Sequence, residues 1–359
     1  MGKIMSNRLD RGFYQYEKEF ENKALEVLHS GWYILGKEVD NFEKEFAAYT
    51  DTKRCVGVAS GLDALWIAFR LLGVGSGDEV IVPANTYIAS VMGVTINGAV
   101  PVFVEPDEFY NIDTAKIEEK ITERTKSILV VHLYGQAADM GNIMSLVSKY
   151  NLKLVEDCAQ SHGAAWNGQM TGSFGDIGCF SFYPSKKLGA FGDAGAMVTD
   201  DERLADEGRV FRNYGSDRRY YNKVVGANSR LDEMQAGLLR VRLKHLDELN
   251  QEKRQIAKCY LEGITNGKIL LPGTRKDCGH VWHQFVIRCS ERERLIEYLE
   301  NNSIGTLIHY PVPPHLQAAY AYLGYCEGDF PITEQYAKEV LSLPIYNGMT
   351  EEEIEYVRC

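Results

Sequence analysis

Cys55–Gly73, CVGVASGLDALWIAFRLLG, holds the transition on which the fold turns. Its first part, CVGVAS, is a short run with the apolar, β-branched character of a strand. From Leu62 onward apolar residues recur at helical spacing, at Leu65, Trp66, Phe69 and Leu72. Between the two lies Ser60, which can cap the helix, with Asp63 completing a serine-x-x-acid start. A strand running straight into a capped helix is the building unit of an α/β sheet. The pattern extends outward from there. EVIVP, VPVFVEP, SILVVHLYG and KLVEDC read as further strands, ASVMGVTING as a helix, and GCFSFYP and GAMVTD as two short strands. Two helices are expected earlier, around residues 15–29 and 38–50. Apolar strands separated by helices predict an α/β fold with a mostly parallel sheet covered on both faces.

The chain has 359 residues, enough for a large domain and a smaller one. At 45% hydrophobic and 25% charged residues it has the composition of a soluble globular protein. A net charge of −11 argues against nucleic acid or a membrane surface as a partner. The N-terminus lacks the apolar core of a signal peptide, and no stretch approaches the roughly 20 apolar residues of a membrane span. Met1-Gly2 opens a partial acylation match that nothing else in the sequence supports. Eight cysteines without a CxxC pair fit reduced, mostly buried thiols and a cytoplasmic location.

A long helical run from about 230 to 257 reads as a connector. HVWHQFVIRCS, a helix near 291–301 and GTLIHYPVPPH then predict a small α+β domain. The boundary is placed near 245, giving a large domain over 1–245 and a small one over 246–359. Cys278, His280 and His283 are close in sequence, but alternation along HVWHQFVIR puts the two histidines on opposite faces of a strand. No metal site is expected there.

In open parallel sheets, ligands sit outside the carboxyl ends of the strands. The first strand ends at Ser60-Gly61, where a helix N-terminus can hold a phosphate. The second ends in VPANTYIAS, whose Tyr87 can stack on a flat ring. KLVEDCAQSHGA ends its strand with Glu156 and Asp157, and a carboxylate there can hold a proton on a heterocyclic nitrogen. SFYPSKKLGAFGDAG, Ser181–Gly195, sets Lys186 just past a strand. A lysine in a low-dielectric cleft can lose its proton and form a Schiff base with a carbonyl. Phosphate donors, a ring partner, a carboxylate and a lysine at one sheet edge are what pyridoxal 5′-phosphate requires.

These motifs resemble those of the DegT/StrS group of nucleotide-sugar aminotransferases, which are fold-type I pyridoxal-phosphate enzymes. The resemblance runs through GWYILGKEVDNFEKEFA, SGLDAL, VPANTYIAS, VHLYGQAADM, VEDCAQSHGA, SFYPSKKLGAFGDAGAMVTDD, NSRLDEMQAGLLRVRL and IHYPVPPH. It implies that Lys186 carries the cofactor and that Asp157 pairs with its pyridine nitrogen. It also implies that Gln160 meets the ring oxygen, that Tyr87 stacks on the ring, and that Gly61, Leu62 and Ser181 hold the phosphate. Asn228 would reach the phosphate of a neighbouring subunit's cofactor, which implies a homodimer with shared active sites. Tyr183, His309 and Tyr310 would line the sugar pocket, with Arg218, Arg219 and Arg230 as candidates for the substrate diphosphate. The sequence departs from the family pattern at Lys187, which is usually asparagine, and at Ala194, usually glycine. Alanine is tolerated there unless the position needs a positive φ.

The motif combination is most similar to the branch that aminates C3 of dTDP-3-oxo-6-deoxyhexoses, with glutamate as donor. Amination at C4 is the near alternative. The related dehydratases replace the lysine with histidine, and a non-catalytic regulatory homologue would lack one of these residues; both conflict with Lys186. A dehydrogenase reading fails because the glycines of LGVGSGD follow a helix at the wrong spacing.

Overall fold

A computed structural model of the protein describes residues 2–359; Met1, where the acylation match begins, lies outside them. Helices α1 (Leu9–Tyr14), α2 (Glu17–Ser30) and α3 (Lys37–Tyr49) lead into strand β1 (Arg54–Val58). Alternation then sets in with α4 (Gly61–Leu71), β2 (Glu79–Pro83), α5 (Ile88–Thr95), β3 (Val100–Val104), β4 (Thr125–Val131), α6 (Met140–Tyr150) and β5 (Lys153–Asp157). A small hairpin, β6 (Ala165–Trp166) and β7 (Gln169–Met170), precedes β8 (Ile177–Ser181) and β9 (Gly195–Thr199), which flank the lysine pair. Next come α7 (Glu202–Phe211), the hairpin β10 (Ser216–Arg218) and β11 (Tyr221–Asn222), and helices α8 (Glu233–Leu243) and α9 (Leu246–Gly263). The C-terminal part holds β12 (Cys278–Gly279), β13 (Phe285–Arg288), α10 (Arg292–Asn301), α11 (Pro331–Glu339), β14 (Val340–Leu343) and α12 (Glu351–Arg358).

The main sheet has seven strands in the order β1-β9-β8-β5-β4-β2-β3. Every neighbouring pair is parallel except the two made by β9. Because β9 runs against both β1 and β8, Gly195 sits beside Val58 on one side and Ser181 on the other. Asp157 ends the parallel neighbour of β8. The carboxyl ends of β1, β5 and β8 therefore share one edge, as the sequence predicts for a ligand site.

Strands β2 and β5 bury nearly every residue because helices cover both faces of the sheet. Helices α4, α5 and α7 pack one face around Leu65, Phe69, Val91 and Leu204. On the other face α3 and α8 bring Phe42, Phe46 and Leu239 against Phe180 and Phe182. Phe46 meets both of those rings edge-on at 4.9 and 5.2 Å. Truncating such a fully buried phenylalanine to alanine costs about 3–5 kcal/mol. A separate core in the C-terminal part gathers Tyr260, Trp282, Phe285, Leu341 and Tyr346. Ile4 inserts into that core and bridges to Ile304.

Three expectations need correction. The helical run over 230–257 is two helices, broken at Lys244 and His245, so that α8 lies on the sheet while α9 leaves for the C-terminal core. HVWHQF is not a strand: the Trp282 N–H donates to His280 Nδ1 (2.9 Å), the two rings stack 3.8 Å apart, and Trp282 takes a φ of 51°. This local bond replaces a sheet ladder, the strand starts only at Phe285, and both His280 and His283 are buried. All eight cysteines are free as expected, but only Cys55, Cys158, Cys179 and Cys289 are buried. No described helix is long and apolar enough to cross a membrane.

Candidate active site

Asp157 is the last residue of β5 and is 6% exposed. Its Oδ2 accepts the Ser90 hydroxyl (2.7 Å) and its Oδ1 the Ala159 N–H (3.1 Å). Ser90 stands on α5 and is itself bonded to Thr86 (2.7 Å). Two short bonds thus fix the carboxylate at the sheet edge.

Glu156, one residue earlier, points to the opposite face, as strand alternation requires. It accepts the N–H groups of Gly172, Phe174 and Gly175, each at 2.8 Å. His132 Nδ1 accepts the Ala138 N–H (3.1 Å), so the ring proton sits on Nε2 and is donated to Glu156 (3.0 Å). With Cys158 these side chains form a compact trio whose imidazole and carboxylate already serve the backbone. The trio clamps the loop beneath β8 and leaves no free ligand set for a metal.

The cradle beside β1 is built by close approach. Ser60 caps α4 by accepting the Asp63 N–H (3.0 Å), which leaves the first-turn N–H groups of Gly61 and Leu62 facing outward. A Cβ on Gly61 would lie 2.4 Å from the Ser181 Cβ, and one on Gly195 2.3 Å from the Ser60 carbonyl oxygen. Only glycine lets these three segments meet. Asp63 does not close a capping box; it accepts Ser229 Oγ (2.7 Å) and Trp66 Nε1 (2.9 Å) instead. Ser229 also accepts the Ala59 N–H (3.1 Å). The loop carrying Asn228 and Arg230 is thereby pinned next to the cradle. Asn228 itself is exposed, its backbone bridged to Asn213.

Lys186 lies in the turn after β8, its N–H donating to the Tyr183 carbonyl (2.8 Å). Burial pushes its amine below the ordinary lysine range, and the charge of Asp157 pulls it partly back. Lys187 is lowered too, by burial first and then by the charges of Lys253 and Arg254. The two lysines border the same small cavity, but of the two only Lys186 feels Asp157. Ala194 has no positive φ, so the glycine missing there costs the turn nothing.

Gln160 accepts the Tyr134 N–H (2.6 Å) and donates to the Tyr310 hydroxyl (3.1 Å). The Tyr310 ring lies 5.1 Å from Tyr87, which is half exposed. His309 Nδ1 bonds Ser342 (2.8 Å), and burial with Lys186 nearby holds its ring down at about 4. Tyr134 donates its hydroxyl to the His309 carbonyl. These groups converge. The arginines divide: Arg230 bonds Asn213 Oδ1 (3.1 Å) beside the cradle, whereas Arg218 stacks on Tyr221 (3.7 Å) and Arg219 on Tyr220 (5.0 Å) in the exposed β10–β11 hairpin. Tyr183 is 54% exposed.

Ser90, Ser229 and Tyr134 were not singled out from the sequence. Ser90 closes VPANTYIAS and Ser229 follows Asn228, so each stood inside a quoted motif without a chemistry of its own.

An open, mostly parallel sheet with a helix N-terminus, a pinned carboxylate and a lysine at its carboxyl edge is the architecture of the fold-type I transferases. Residues 15–358 match the DegT/DnrJ/EryC1/StrS aminotransferase family, and the chain belongs to that family. It is 56% identical to the dTDP-3-amino-3,6-dideoxy-alpha-D-galactopyranose transaminase of Aneurinibacillus thermoaerophilus, over 96% of this chain and 94% of that one. It is 48% identical to the dTDP-3-amino-3,4,6-trideoxy-alpha-D-glucose transaminase of Streptomyces venezuelae, over 94% and 89% of the two chains. Among solved structures, S. venezuelae DesV in complex with a ketimine intermediate superposes with a TM-score of 0.97 at 46% identity, covering 100% of this chain and 98% of that one.

Proposed function

We propose that this protein is a pyridoxal-phosphate aminotransferase that installs the amino group at C3 of a dTDP-linked 3-oxo-6-deoxyhexose, with L-glutamate as donor. The observation that carries the reading is Lys186 set against Asp157 at the edge shared with Gly61 and Ser181. Two relatives named for 3-amino sugars support the position of amination.

The residues fit the cofactor. The cradle at Gly61 is one that a Cβ would fill, and the α4 N-terminus offers the Gly61 and Leu62 N–H groups to a phosphate, with Ser181 alongside. Asp157 holds a proton on the pyridine nitrogen, and Ser90 keeps the carboxylate aimed. Gln160 would orient the ring oxygen and Tyr87 would cover the ring face. Pyridoxal phosphate supplies an electron-poor ring that holds the electron pair released from the amino-bearing carbon. Lys186 Nζ moves the proton to and from that carbon, a task for which a lowered pKa suits it. The donor's oxo acid leaves before the keto sugar enters, which gives ping-pong kinetics. Tyr183, His309 and Tyr310 face the sugar, and Arg218, Arg219 and Arg230 reach for its diphosphate. Asn228 serves the site of a second subunit in a homodimer. The division into a large unit over 1–245 and a small one over 246–359 belongs to this reading, as does a cytoplasmic location, which the eight free thiols support.

Incubation with glutamate and either dTDP-3-oxo- or dTDP-4-oxo-6-deoxyhexose tests the assignment. A 3-amino product formed in preference is expected. Dominant 4-amino product would overturn the position, and no amino sugar from either would overturn the aminotransferase reading.

A further inference from the structure

A small cavity of about 20 Å³ lies behind the lysine turn, where Lys187 and Pro184 meet α1, α8, α9 and Tyr346. Three of the groups lining it are donors without a partner among the described residues: Lys187 Nζ, Arg242 Nε and the Tyr346 hydroxyl. Lys187 and Tyr346 are 4% and 2% exposed. Lys253 also lines the cavity and reaches only the His283 carbonyl, at 3.4 Å. No aspartate or glutamate lines it among the described residues. Glu252, whose charge reaches Lys187, is already taken by Asn347 Nδ2 and the Gly348 N–H, both at 2.6 Å, and Asp10 is paired with Arg8.

Buried donors and buried charges each need a partner. Three unpartnered donors, one of them the Lys187 amine, and the weakly bonded Lys253 around one cavity call for an anion, and the volume admits a single water-sized particle. We propose that this cavity binds one monatomic anion, chloride or its equivalent, coordinated by Lys187, Arg242, Lys253 and Tyr346. Burial first, and then the charges of neighbouring cations, leave Lys187 well below the lysine range and Lys253 at about 7. A bound anion restores the proton affinity of both. Lys186 also borders this cavity, but the charge of Asp157 acts on Lys186 and not on Lys187, whose own amine has no partner.

The test uses the purified holoenzyme. Sodium chloride and sodium gluconate are exchanged at constant ionic strength while Tm is followed; gluconate is too large for the cavity. A saturable rise in Tm with chloride alone is expected. Lys187→Asn, which places at this position the residue usual in the resembling family, should weaken the apparent chloride affinity at least tenfold. Lys253→Met is a second route to the same loss should that variant fold poorly. Crystals of the wild-type protein grown in bromide should show an anomalous peak within hydrogen-bonding distance of Lys187 Nζ. Identical chloride and gluconate curves, a water or a side-chain carboxylate in place of bromide, or variants that titrate like wild type would each overturn the proposal.

Discussion

Glu156 and Asp157 are chemically alike neighbours that the pleat sends to opposite faces of β5. Their substitutions should therefore fail in different assays. Asp157→Asn keeps the shape and the Ser90 contact but loses the charge that favours a protonated ring nitrogen; an opposite charge at this range shifts a pKa by about 1–3 units. The loss should fall on kcat, by about a hundredfold or more, with cofactor absorbance retained. Glu156→Gln weakens a carboxylate that holds three backbone N–H groups and His132. It should cost about 1–3 kcal/mol of stability, read by denaturant titration, while turnover per folded molecule stays near normal. Near-normal turnover in Asp157→Asn would refute the ring-side assignment. The buried histidines give a second residue-scale prediction. Burial is the main reason His162 and His280 protonate only at about 3 and His309 at about 4. Unfolded histidines take protons near 6.5, so below that pH the unfolded chain binds more protons and stability falls as pH drops toward 4. Each contributes about 2 kcal/mol of loss between pH 6.5 and 5. His162 packs against Phe180 and Phe182 with both ring nitrogens unpartnered, so His162→Phe should flatten its share of the acid limb in urea titrations at the two pH values.

At the level of elements, the strands and helices that build the site were legible because each carries its own period and its own stop. β1 hands over to α4 at Ser60, and β5 ends in its acidic pair. The break between α8 and α9 was not legible: Leu243 and Leu246 stay at helical spacing and are both buried, and neither glycine nor proline marks the turn. Only the position of the C-terminal core decides it. HVWHQF misled for the converse reason, since alternation was present but a histidine side chain captured the backbone. Of the candidate site, residues with a chemistry of their own could be proposed from the sequence, whereas those that merely hold another residue, Ser90 and Ser229, could not. The β10–β11 hairpin offers the prediction proper to this scale. Its arginines touch only neighbouring tyrosines, so Arg218→Ala should leave Tm unchanged. If Arg218 meets the sugar diphosphate, KM for the nucleotide sugar rises about tenfold or more while KM for the donor stays constant. Unchanged KM for both substrates would remove Arg218 from the site.

For the whole molecule, exposed Asn228 beside the cradle makes the assembly testable. Lys186→Ala should be inactive and Asn228→Ala weakened. In a heterodimer of the two, one site combines an intact lysine with a partner's intact asparagine. Activity should recover toward half of wild type, and a verified heterodimer with no recovery would argue for self-contained subunits. The placement of Ile4 against Ile304 bears on synthesis as well as architecture. A polypeptide leaves the ribosome from its first residues onward, so the segment around Ile4 must wait through some 300 residues before its neighbour emerges. The C-terminal core can then close only after the residues around Ile304 have emerged, with the much earlier segment around Ile4 as one of its last pieces.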